Sequence, residues 1–534
     1  VHSIIFQNAE NGYTVLRLLT EEGEVVTVVG CIPCVAPGEH LSAVGTMETH
    51  PQHGEQLRAV ELERSLPEDE EEIASYLGSG VVKGVGPATA RRIVDRFGTE
   101  TLDILEREPE RLSLIKGITE RKAMEIAESF RHHMGLRRLM EFLARYQLPP
   151  VLAMQLRRQY GDAALEKVRE NLYLLSGESC GVEFAVTDQI ALSLGMELDS
   201  LCRVEAAVSF ELGHNERNGH VFLPREKLIA ATAELLHGSA DTVEQALDGL
   251  IERGAVVQEG VGNAQACYLR RLWEAEQSAC IRLTGLLAVE ADRSTQPERA
   301  VREIESLQGI TYAPLQRQAV ELAAREGVVI LTGGPGTGKT TTVRGIVALF
   351  QKMGLDILLA APTGRAAKRM SELTGMDAQT IHRLLGMSWS EATGQVTFTK
   401  TEKEPLETDA LIVDEMSMVD LPLFSALLRA LRPGTRLVLV GDADQLPSVG
   451  AGNVFSDLIR SGKIQTVFLR EVFRQASESA IIRNAHAVNL GQPPRLVNDQ
   501  GDFFFLCRRD PERALATVVE LCKTRLPKNM GIPT

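Results

Sequence analysis

The chain has 534 residues, which at about 100 to 200 residues per domain predicts several domains rather than one. Hydrophobic residues make up 44% and charged residues 24%, a globular composition that excludes a disordered chain and a small disulfide scaffold. The formal net charge of −15 excludes bulk attraction to nucleic acid or to an anionic membrane, although residues 111–170 carry twelve Lys and Arg against seven Asp and Glu.

Neither the apolar pattern nor the cysteines predict a secreted or membrane protein. No apolar run approaches the roughly 18 residues that span a bilayer, and residues 1–12 lack the pattern of a signal peptide. The eight cysteines are scattered, which predicts a reducing compartment and a cytoplasmic location. Cys31 and Cys34 form one CxxC pair without a second pair of ligands, which disfavours a zinc site. Because the chain begins at Val1 and ends at Thr534 in a stretch with Pro and Gly, we interpret it as a fragment.

The first predicted domain, residues 1–66, consists of strands. The runs 13–19 and 24–29 are rich in strand-forming residues, and glycines lie between the runs. This pattern predicts a small, OB-like β-barrel. The acidic run at 68–72 marks a predicted boundary with the next domain.

Residues 73–196 change to helical periodicity and contain two similar glycine hairpins, at 82–90 and 115–123. A Gly-x-Gly turn before a helix lets backbone N–H groups approach a phosphate, so helix-hairpin-helix units that contact the DNA backbone are predicted. Thr119 stands where the first hairpin has Gly86, which predicts a less free backbone in the second hairpin. The alternative is that the hairpins merely join helices. The candidate DNA contacts are Gly84, Gly86, Lys116 and Gly117.

The rest of the N-terminal half is predicted to be a duplicated helical region followed by a connector. The pair Phe97-Gly98 recurs as Tyr160-Gly161, with similar residues at constant spacing after each pair, which indicates a repeat. Residues 199–290 contain two helical patterns and then a probable strand hairpin, in an order that resembles a winged helix. This segment has no clear recognition face and is interpreted as a connector.

Residues 300–468 are predicted to form an α/β motor core of the RecA-like, P-loop NTPase kind. The apolar runs 328–331, 357–360, 411–413 and 437–440 indicate buried parallel strands, and ligands bind beyond the carboxyl ends of such strands. The first run is followed by a complete GxxxxGK[ST] P-loop, whose predicted nucleotide contacts are Gly333, Gly334, Pro335, Gly336, Thr337, Gly338, Lys339, Thr340 and Thr341.

The side chains of the P-loop and of the third strand predict ATP and Mg²⁺ as ligands. Lys339 offsets the charge of the β- and γ-phosphates, and the Thr340 hydroxyl can ligate magnesium. Asp414 and Glu415 follow the run 411–413 as a Walker B pair. Asp414 can hold the magnesium shell and Glu415 can polarise the attacking water, so hydrolysis is predicted as well as binding.

The order of these motifs resembles superfamily 1 DNA helicases, and the order of domains resembles the stand-alone RecD-type group of superfamily 1B. Residues 315–320 are similar to the Q motif, which implies that Gln316 reads the adenine edge; a helix-start role is the alternative. Residues 441–449 are similar to motif III, which implies that Gln445 senses the γ-phosphate. Residues 469–475 are similar to motif IV and imply that Arg474 is an arginine finger, with a surface ion pair as the alternative.

The resemblance also implies contacts with single-stranded DNA. Residues 361–367 are similar to motif Ia, and residues 380–386 to the RecD-type segment that follows it. A hairpin is predicted within residues 386–400, and in RecD-type enzymes a hairpin at this point separates strands. Two alternatives stay open. The hairpin could be a surface hairpin that does not separate strands, and the histidine of 380–386 could have a core or capping role instead of contacting DNA. The implied DNA contacts are Pro362, Thr363, Arg365, His382 and Trp389.

Residues 469–534 are interpreted as the beginning of a second, incomplete RecA-like lobe, because no counterpart of motifs V and VI follows. As written, the chain is therefore expected to bind nucleotide and to hydrolyse it poorly. The favoured function is an ATP-dependent helicase that moves 5′ to 3′ on single-stranded DNA in repair or recombination, with junctions of single- and double-stranded DNA as partners. The direction is implied by the resemblance alone. A monomeric state and protein partners stay open. The alternative is a structure-specific DNA-binding protein with ATP as a switch.

Overall fold

The computed structural model describes residues 1–8, 12–32, 35–50, 54–149, 151–288, 296–390, 395–471, 479–498 and 502–530. The chain divides into two compact units. The first unit consists of Val1–Asn215, Phe222–Arg270 and Met387–Thr397. The second unit consists of Glu216–Val221, Arg271–Gly386 and Phe398–Thr534. Among the described helices, none has the length and apolar character needed to cross a membrane.

The first unit begins with a five-stranded sheet. Its strands β1–β5 are Ser3–Gln7, Tyr13–Leu19, Val25–Cys31, His40–His50 and Gly54–Ser65. They pair in the order β1-β2-β3-β5-β4, antiparallel except for the parallel pairing of β3 with β5. Leu16, Val28, Ile32 and Val35 form the small core. The predicted barrel is confirmed, but β4 and β5 have 11 and 12 residues and are longer than the short strands expected.

The first set of helices begins earlier than the sequence predicted. Helices α1–α4 are Glu70–Tyr76, Pro87–Phe97, Thr101–Arg107 and Glu120–Arg145. The acidic run that was predicted as a boundary starts α1, because the Asp69 carboxylate accepts a hydrogen bond from the Glu72 N–H at 2.8 Å and caps the helix. Glu70 and Glu71 lie in the first turn, where negative charge is favourable.

A buried cluster of charges joins the barrel to these helices. The Glu39 carboxylate is 1% exposed and pairs with Arg64 at 2.7 Å and with Arg137 at 3.4 Å. Arg64 lies in β5 and Arg137 in α4, and their side chains are 6% and 4% exposed. Because removing one partner of such a cluster leaves an uncompensated buried charge, its loss costs about 3–5 kcal/mol.

The next helices repeat the first set. Helices α5–α7 are Val151–Tyr160, Ala164–Glu170 and Phe184–Ser193. Gly98 after α2 and Gly161 after α5 have φ of +57° and +62°, and each opens one 3₁₀ turn before the following helix. The predicted duplication is therefore present in the backbone.

The connector and the second repeat share one interior. Helices α8–α10 are Leu201–Arg217, Arg225–Leu236 and Ala240–Glu252, and strands β6–β8 are Phe222–Pro224, Val256–Val261 and Ala264–Leu269. The strands form an antiparallel sheet in the order β6-β8-β7, so the succession of elements is that of a winged helix, as predicted. One continuous core runs from Leu136 in α4 to Cys267 in β8. The predicted boundary between residues 196 and 199 therefore does not separate two cores.

The second unit is built on a six-stranded parallel sheet. Strands β9–β16 are Val328–Gly333, Ile357–Ala361, Ala378–Thr380, Met387–Ser390, Gln395–Phe398, Ala410–Val413, Arg436–Gly441 and Gln465–Leu469. All but β12 and β13 belong to it, in the order β11-β10-β14-β15-β9-β16. The four predicted strands β9, β10, β14 and β15 are confirmed. Strands β11 and β16 were not predicted: β11 has no apolar run, and β16 begins with the polar residues Gln465 and Thr466.

Helices cover both faces of this sheet. Helices α11–α21 are Arg270–Leu287, Pro297–Gln308, Pro314–Arg325, Lys339–Lys352, Gly364–Thr374, Ile381–Leu384, Leu421–Arg429, Val454–Arg460, Ala480–Asn489, Pro511–Glu520 and Leu526–Met530. In β14, Leu411 and Val413 join one core whereas Ala410 and Ile412 join the other. This alternation explains the wholly apolar strand sequence.

The predicted insertion is confirmed as a hairpin. Strands β12 and β13 form a separate two-stranded sheet, in which the Ser388 and Thr397 hydroxyls are 2.8 Å apart. The turn 391–394 and the Trp389 side chain lie outside the described part of the structure. Leu469, predicted to open the second lobe, instead pairs with Gly333 in the sheet of the first. Residues 469–534 were predicted to begin a second lobe. Beyond Leu469, the described residues of this segment contain helices and no strand.

Candidate nucleotide site and nucleic-acid interface

The P-loop connects β9 to α14 at the carboxyl edge of the sheet. Gly338 caps α14 with φ of +82°, a left-handed conformation that other residues adopt at a cost, which explains a glycine directly before Lys339. The Lys339 ammonium donates hydrogen bonds to the carbonyl oxygens of Gly333 and, at 3.3 Å, Gly334. The first amides of α14 have no intrahelical acceptor, so this helix start is suited to a phosphate.

The Walker B pair follows β14 at the same edge. The backbone N–H of Glu415 donates to Asp414 Oδ1 at 2.9 Å, which orients the aspartate. Glu415 itself has φ of +55°, unusual for a residue other than glycine. Strain of this kind is concentrated at functional sites, where the surrounding structure holds it in place.

Both carboxyl groups titrate above their usual range. Burial raises the pKa of Asp414, against the lowering effects of the Glu415 N–H and of the Lys339 and Arg369 charges. Burial and the neighbouring Asp414 raise the pKa of Glu415, and the same two cations oppose the shift. A carboxylate with a raised pKa is a better proton acceptor, which suits Glu415 to the predicted role of general base.

A cavity of about 1030 Å³ joins the P-loop to the Walker B pair, at the upper end of the usual range for ligand sites. Of the predicted nucleotide contacts, Gly334 through Thr341 line it. Gly333 does not, and a Cβ there would lie 2.7 Å from the Leu469 carbonyl oxygen. The Lys339 ammonium and the hard oxygens of Thr340 and Asp414 fit a nucleoside triphosphate with Mg²⁺.

Sequence reasoning missed further residues of the cavity wall. Arg369 in α15 lies there and acts electrostatically on both Walker B carboxyls. Its spacing of four residues from Arg365 on one helix could have indicated it. Helix α19 adds His486, for which the sequence carries no local signal. The other missed wall residues are Val343, Ala366, Met370, Leu373, Thr374, Val440, Asp442, Asp444, Ile482, Ala485 and Asn489.

Gln316 lies beneath the P-loop and is 3% exposed. Its Oε1 accepts a hydrogen bond from the Ala313 N–H at 3.0 Å, and its Nε2 donates to the Gly338 carbonyl at 3.3 Å. Both polar atoms thus hold the start of α13 and the P-loop together. The helix-start alternative describes this arrangement, and adenine reading stays a prediction.

Motif III reaches the cavity through Gln445. Its Oε1 accepts a hydrogen bond from the Ser417 hydroxyl at 3.3 Å, which connects it to the turn after Glu415. The Ala443 N–H donates to Thr332 Oγ1 of β9 at 3.1 Å. Motif III, the Walker B turn and the P-loop strand are thus joined by side-chain hydrogen bonds.

The predicted residues for single-stranded DNA have mixed environments. Thr363 caps α15 by accepting from the Ala366 N–H at 3.3 Å, and Arg365 is exposed. Pro362 is partly buried directly after β10. The centres of the His382 and Phe398 rings lie 6.3 Å apart, so the histidine packs against this aromatic side chain. Arg474 lies outside the described residues.

The two glycine hairpins of the first repeat face one small cavity of about 300 Å³. Lys83 and Gly84 of the first hairpin lie opposite Thr119 at the second, and the wall also contains Arg121 and Lys122, which were not among the predicted contacts. Convergence of basic side chains with a helix start suits contact with a phosphate chain.

The expectation that Thr119 restricts the second hairpin is wrong. Gly86 has φ of −93° and ψ of 174°, and Thr119 has φ of −79° and ψ of 159°, so both residues adopt the same extended conformation. The left-handed positions are Gly84 and Gly117, and both hairpins have a glycine there. Thr119 also caps α4 by accepting from the Lys122 N–H at 3.3 Å. The Lys116 carbonyl accepts from Arg92 at 2.8 Å, which fixes the second turn.

Cys180, Cys202, Cys267, Cys280, Cys507 and Cys522 form no disulfide bond within the described residues. Burial raises the pKa of the Cys31 thiol to about 11. Cys34 lies outside the described residues.

Four family models match this chain in succession. The OB-fold domain of the ATP-dependent DNA helicase YrrC matches 1–67, the SAM-like helix-hairpin-helix tandem 80–132, the helix-hairpin-helix domain of ATP-dependent RecD2 DNA helicases 132–222, and the AAA domain 316–451. These matches confirm the predicted barrel, hairpin region and P-loop core. The third also crosses the predicted boundary near residue 196, as the shared core does.

Individual relatives agree with this division. The ATP-dependent RecD2 DNA helicase of Deinococcus radiodurans is 33% identical over 512 residues, which cover 92% of this chain and 70% of that protein. The RecBCD enzyme subunit RecD of Mycolicibacterium smegmatis is 41% identical over 215 residues, or 36% of this chain and 37% of that subunit. The similarity to the first protein therefore includes the N-terminal domains, whereas the similarity to the second covers about a third of the chain.

Proposed function

This chain belongs to the RecD2 family of ATP-dependent DNA helicases, and we propose from this premise that it couples ATP hydrolysis to 5′-to-3′ movement along single-stranded DNA. The observation that carries the proposal is the single cavity in which Lys339, Thr340 and the Walker B pair meet. Beside Asp414, which would hold Mg²⁺, the cavity contains a second carboxylate, Glu415, that can accept the proton of the attacking water.

Nucleotide binding would change the partners of Lys339. Its ammonium now bonds to the Gly333 and Gly334 carbonyls, and the phosphates offer it stronger, charged acceptors. Thr340 and Asp414 would hold Mg²⁺, which offsets phosphate charge when bound. The P-loop itself is kept in place by Gln316 and by the Thr337 hydroxyl, which donates to the Gly334 carbonyl at 2.9 Å.

Hydrolysis would depend on Glu415 and on an arginine from the facing lobe. Glu415 would accept the proton of the attacking water, helped by its raised pKa. Arg474 is the proposed arginine finger, because a guanidinium that arrives when the cleft closes stabilises transition-state charge and links hydrolysis to motion. Gln445 would transmit the state of the phosphates through its bond with Ser417.

The DNA track would begin at the same edge of the sheet. Pro362 and Thr363 directly follow β10, whose carboxyl end lies beside that of β14 in the parallel sheet. Together with Arg365, they are proposed to hold the single strand close to the nucleotide. His382 and the hairpin that bears Trp389 are proposed to lie at the point of strand separation.

The N-terminal hairpins would contact the backbone of a duplex or junction. The basic wall of their shared cavity, formed by Lys83, Arg121 and Lys122, supports a phosphate contact that does not depend on sequence. Gly84, Gly86, Lys116 and Gly117 lie in the two turns that bear this cavity or immediately beside it. We propose action as a monomer in DNA repair or recombination.

DNA-stimulated ATPase and strand displacement test the proposal in the full-length protein. We expect both activities in the wild type and neither in Lys339→Ala. Displacement that persists without this lysine would refute a motor at the P-loop. ATP-dependent changes in junction binding without displacement would instead favour the ATP-switched DNA-binding protein.

A further inference from the structure

Helix α19 supplies a wall of the nucleotide cavity that motif reasoning did not anticipate. Ile482, Ala485, His486 and Asn489 line the cavity, and their spacing of three, four and seven residues places them on one face of the helix. The P-loop and this helix belong to the same compact unit. The nucleotide cavity is therefore bounded by a helix that follows the motif IV segment.

His486 is the polar side chain of this face that lies against the P-loop. A Cβ built on Gly334 would meet His486 Cε1 at 3.0 Å, so the imidazole fills the space that any larger residue at 334 would need. The absence of a side chain at Gly334 thus permits this close approach.

One nitrogen of the His486 imidazole lacks a hydrogen-bond partner among the described residues. His486 Nε2 is buried, and within the part of the chain that the structure describes it has no hydrogen-bond partner. Buried polar atoms are paired in the great majority of cases, and an unpaired one at a cavity wall is a candidate for ligand contact. An imidazole nitrogen that carries its proton can donate to a phosphate oxygen.

The position along the P-loop decides which part of a nucleotide lies nearest. Lys339, the residue that serves the β- and γ-phosphates, bonds to the Gly334 carbonyl at 3.3 Å. A group packed on Gly334 therefore lies close to the Lys339 ammonium and to the phosphates that this lysine is predicted to serve.

We propose that His486 Nε2 donates a hydrogen bond to the terminal phosphate of bound ATP. The inference rests on the proposed function and adds to it a specificity-determining contact. ATP, which has the third phosphate, completes the hydrogen bond of the histidine, whereas ADP leaves it unmet. The contact would thus report the presence of the γ-phosphate to the segment beyond motif IV.

Equilibrium binding of a non-hydrolysable ATP analogue and of ADP, both with Mg²⁺, tests this contact in the full-length protein. We expect His486→Ala to weaken binding of the analogue about tenfold, the size of a hydrogen bond to a charged group, and to change ADP binding by less than about twofold. His486→Gln, which retains a donor, should recover part of the affinity for the analogue. Arg483→Ala, an exposed cation on the same helix, is the matched control and should change neither affinity.

The outcomes separate this inference from the proposed function. If the wild type bound neither nucleotide, the proposed function would fail. If the wild type bound both nucleotides and His486→Ala bound the analogue with normal affinity, the terminal-phosphate contact would be refuted. The same holds if His486→Ala lost affinity equally for the analogue and for ADP. In both cases the proposed function would stand. A fold defect in His486→Ala would lower the melting temperature without nucleotide. His486→Gln then decides, because an equal loss of affinity for the analogue and for ADP in a stable Gln variant would also refute the contact.

Discussion

Two helices of this chain, α14 and α4, begin after a glycine turn that suits contact with a phosphate. They differ in the residues that the tertiary structure places next to each helix start. Helix α14 follows Gly338 with φ of +82°, and helix α4 follows the turn of Gly117 with φ of +93°. Each thus has a left-handed glycine in the turn before its first unpaired amides. The two turns therefore share a local sequence signal, namely a glycine shortly before the helix begins.

The surroundings decide what each helix start can do. The α14 site adjoins a cavity of about 1030 Å³ that contains Asp414 and Glu415. The α4 site adjoins a cavity of about 300 Å³. Its wall contains Lys83, Arg121 and Lys122 and one carboxylate, Glu125, which pairs with Arg121 at 3.0 Å. Phosphate binding needs amides and positive charge, whereas hydrolysis also needs a carboxylate held at the right place. The first site is therefore expected to do chemistry and the second to bind.

The largest expected effect that tests this contrast is that of Lys339→Ala. Loss of the charge that serves the phosphates should lower DNA-stimulated ATPase by about 10³-fold, measured as phosphate release. Lys352→Ala is the matched control on the same helix, since its exposed pair with Glu303 contributes little. If ATPase activity persisted in Lys339→Ala, the expected difference between the two sites, chemistry at α14 and binding alone at α4, would be contradicted.

Glu415→Gln should separate binding from chemistry within the first site. The amide cannot accept a proton, so we expect hydrolysis to fall by about 10²-fold while equilibrium binding of ATP is kept or strengthened. Binding and phosphate release have to be measured on the same preparation. A variant that hydrolyses normally would contradict Glu415 as the base.

Arg369→Ala should move the pH dependence of hydrolysis. Burial raises the pKa of Glu415 and Arg369 opposes that rise, so removing the guanidinium should raise this pKa further. Since Glu415 acts in its ionised form, the acidic limb of the ATPase profile should shift to higher pH, with a smaller change at alkaline pH. Lys368→Ala, at the neighbouring exposed position, should leave the profile where it is.

The smallest expected effect is at the second site. Lys122→Ala should weaken DNA binding severalfold at moderate salt, equally for different sequences, and should lower the salt slope of log K by about 1. The DNA-independent ATPase should stay the same. Lys167→Ala, in the second repeat and paired with Glu170, is the control. A sequence-dependent loss with Lys122→Ala would argue against backbone contact.

Several elements of this protein follow from short stretches of its sequence. The P-loop, the Walker B pair and strands β9, β10, β14 and β15 were all predicted, because each depends on local backbone freedom or on a continuous buried run. The repeat marked by Gly98 and Gly161 was also predictable, since a left-handed glycine between helices leaves a local signature.

Tertiary structure alone decided which distant groups meet. His486 reaches Gly334, and Arg369 reaches the Walker B pair, through packing of whole helices that no local pattern encodes. The same holds for the core that the connector shares with the second repeat, and for the equal backbones of Gly86 and Thr119. The sequence by itself predicted a nucleotide site beside two carboxylates, because those residues lie in contiguous motifs. Long-range packing decided which other residues line that cavity.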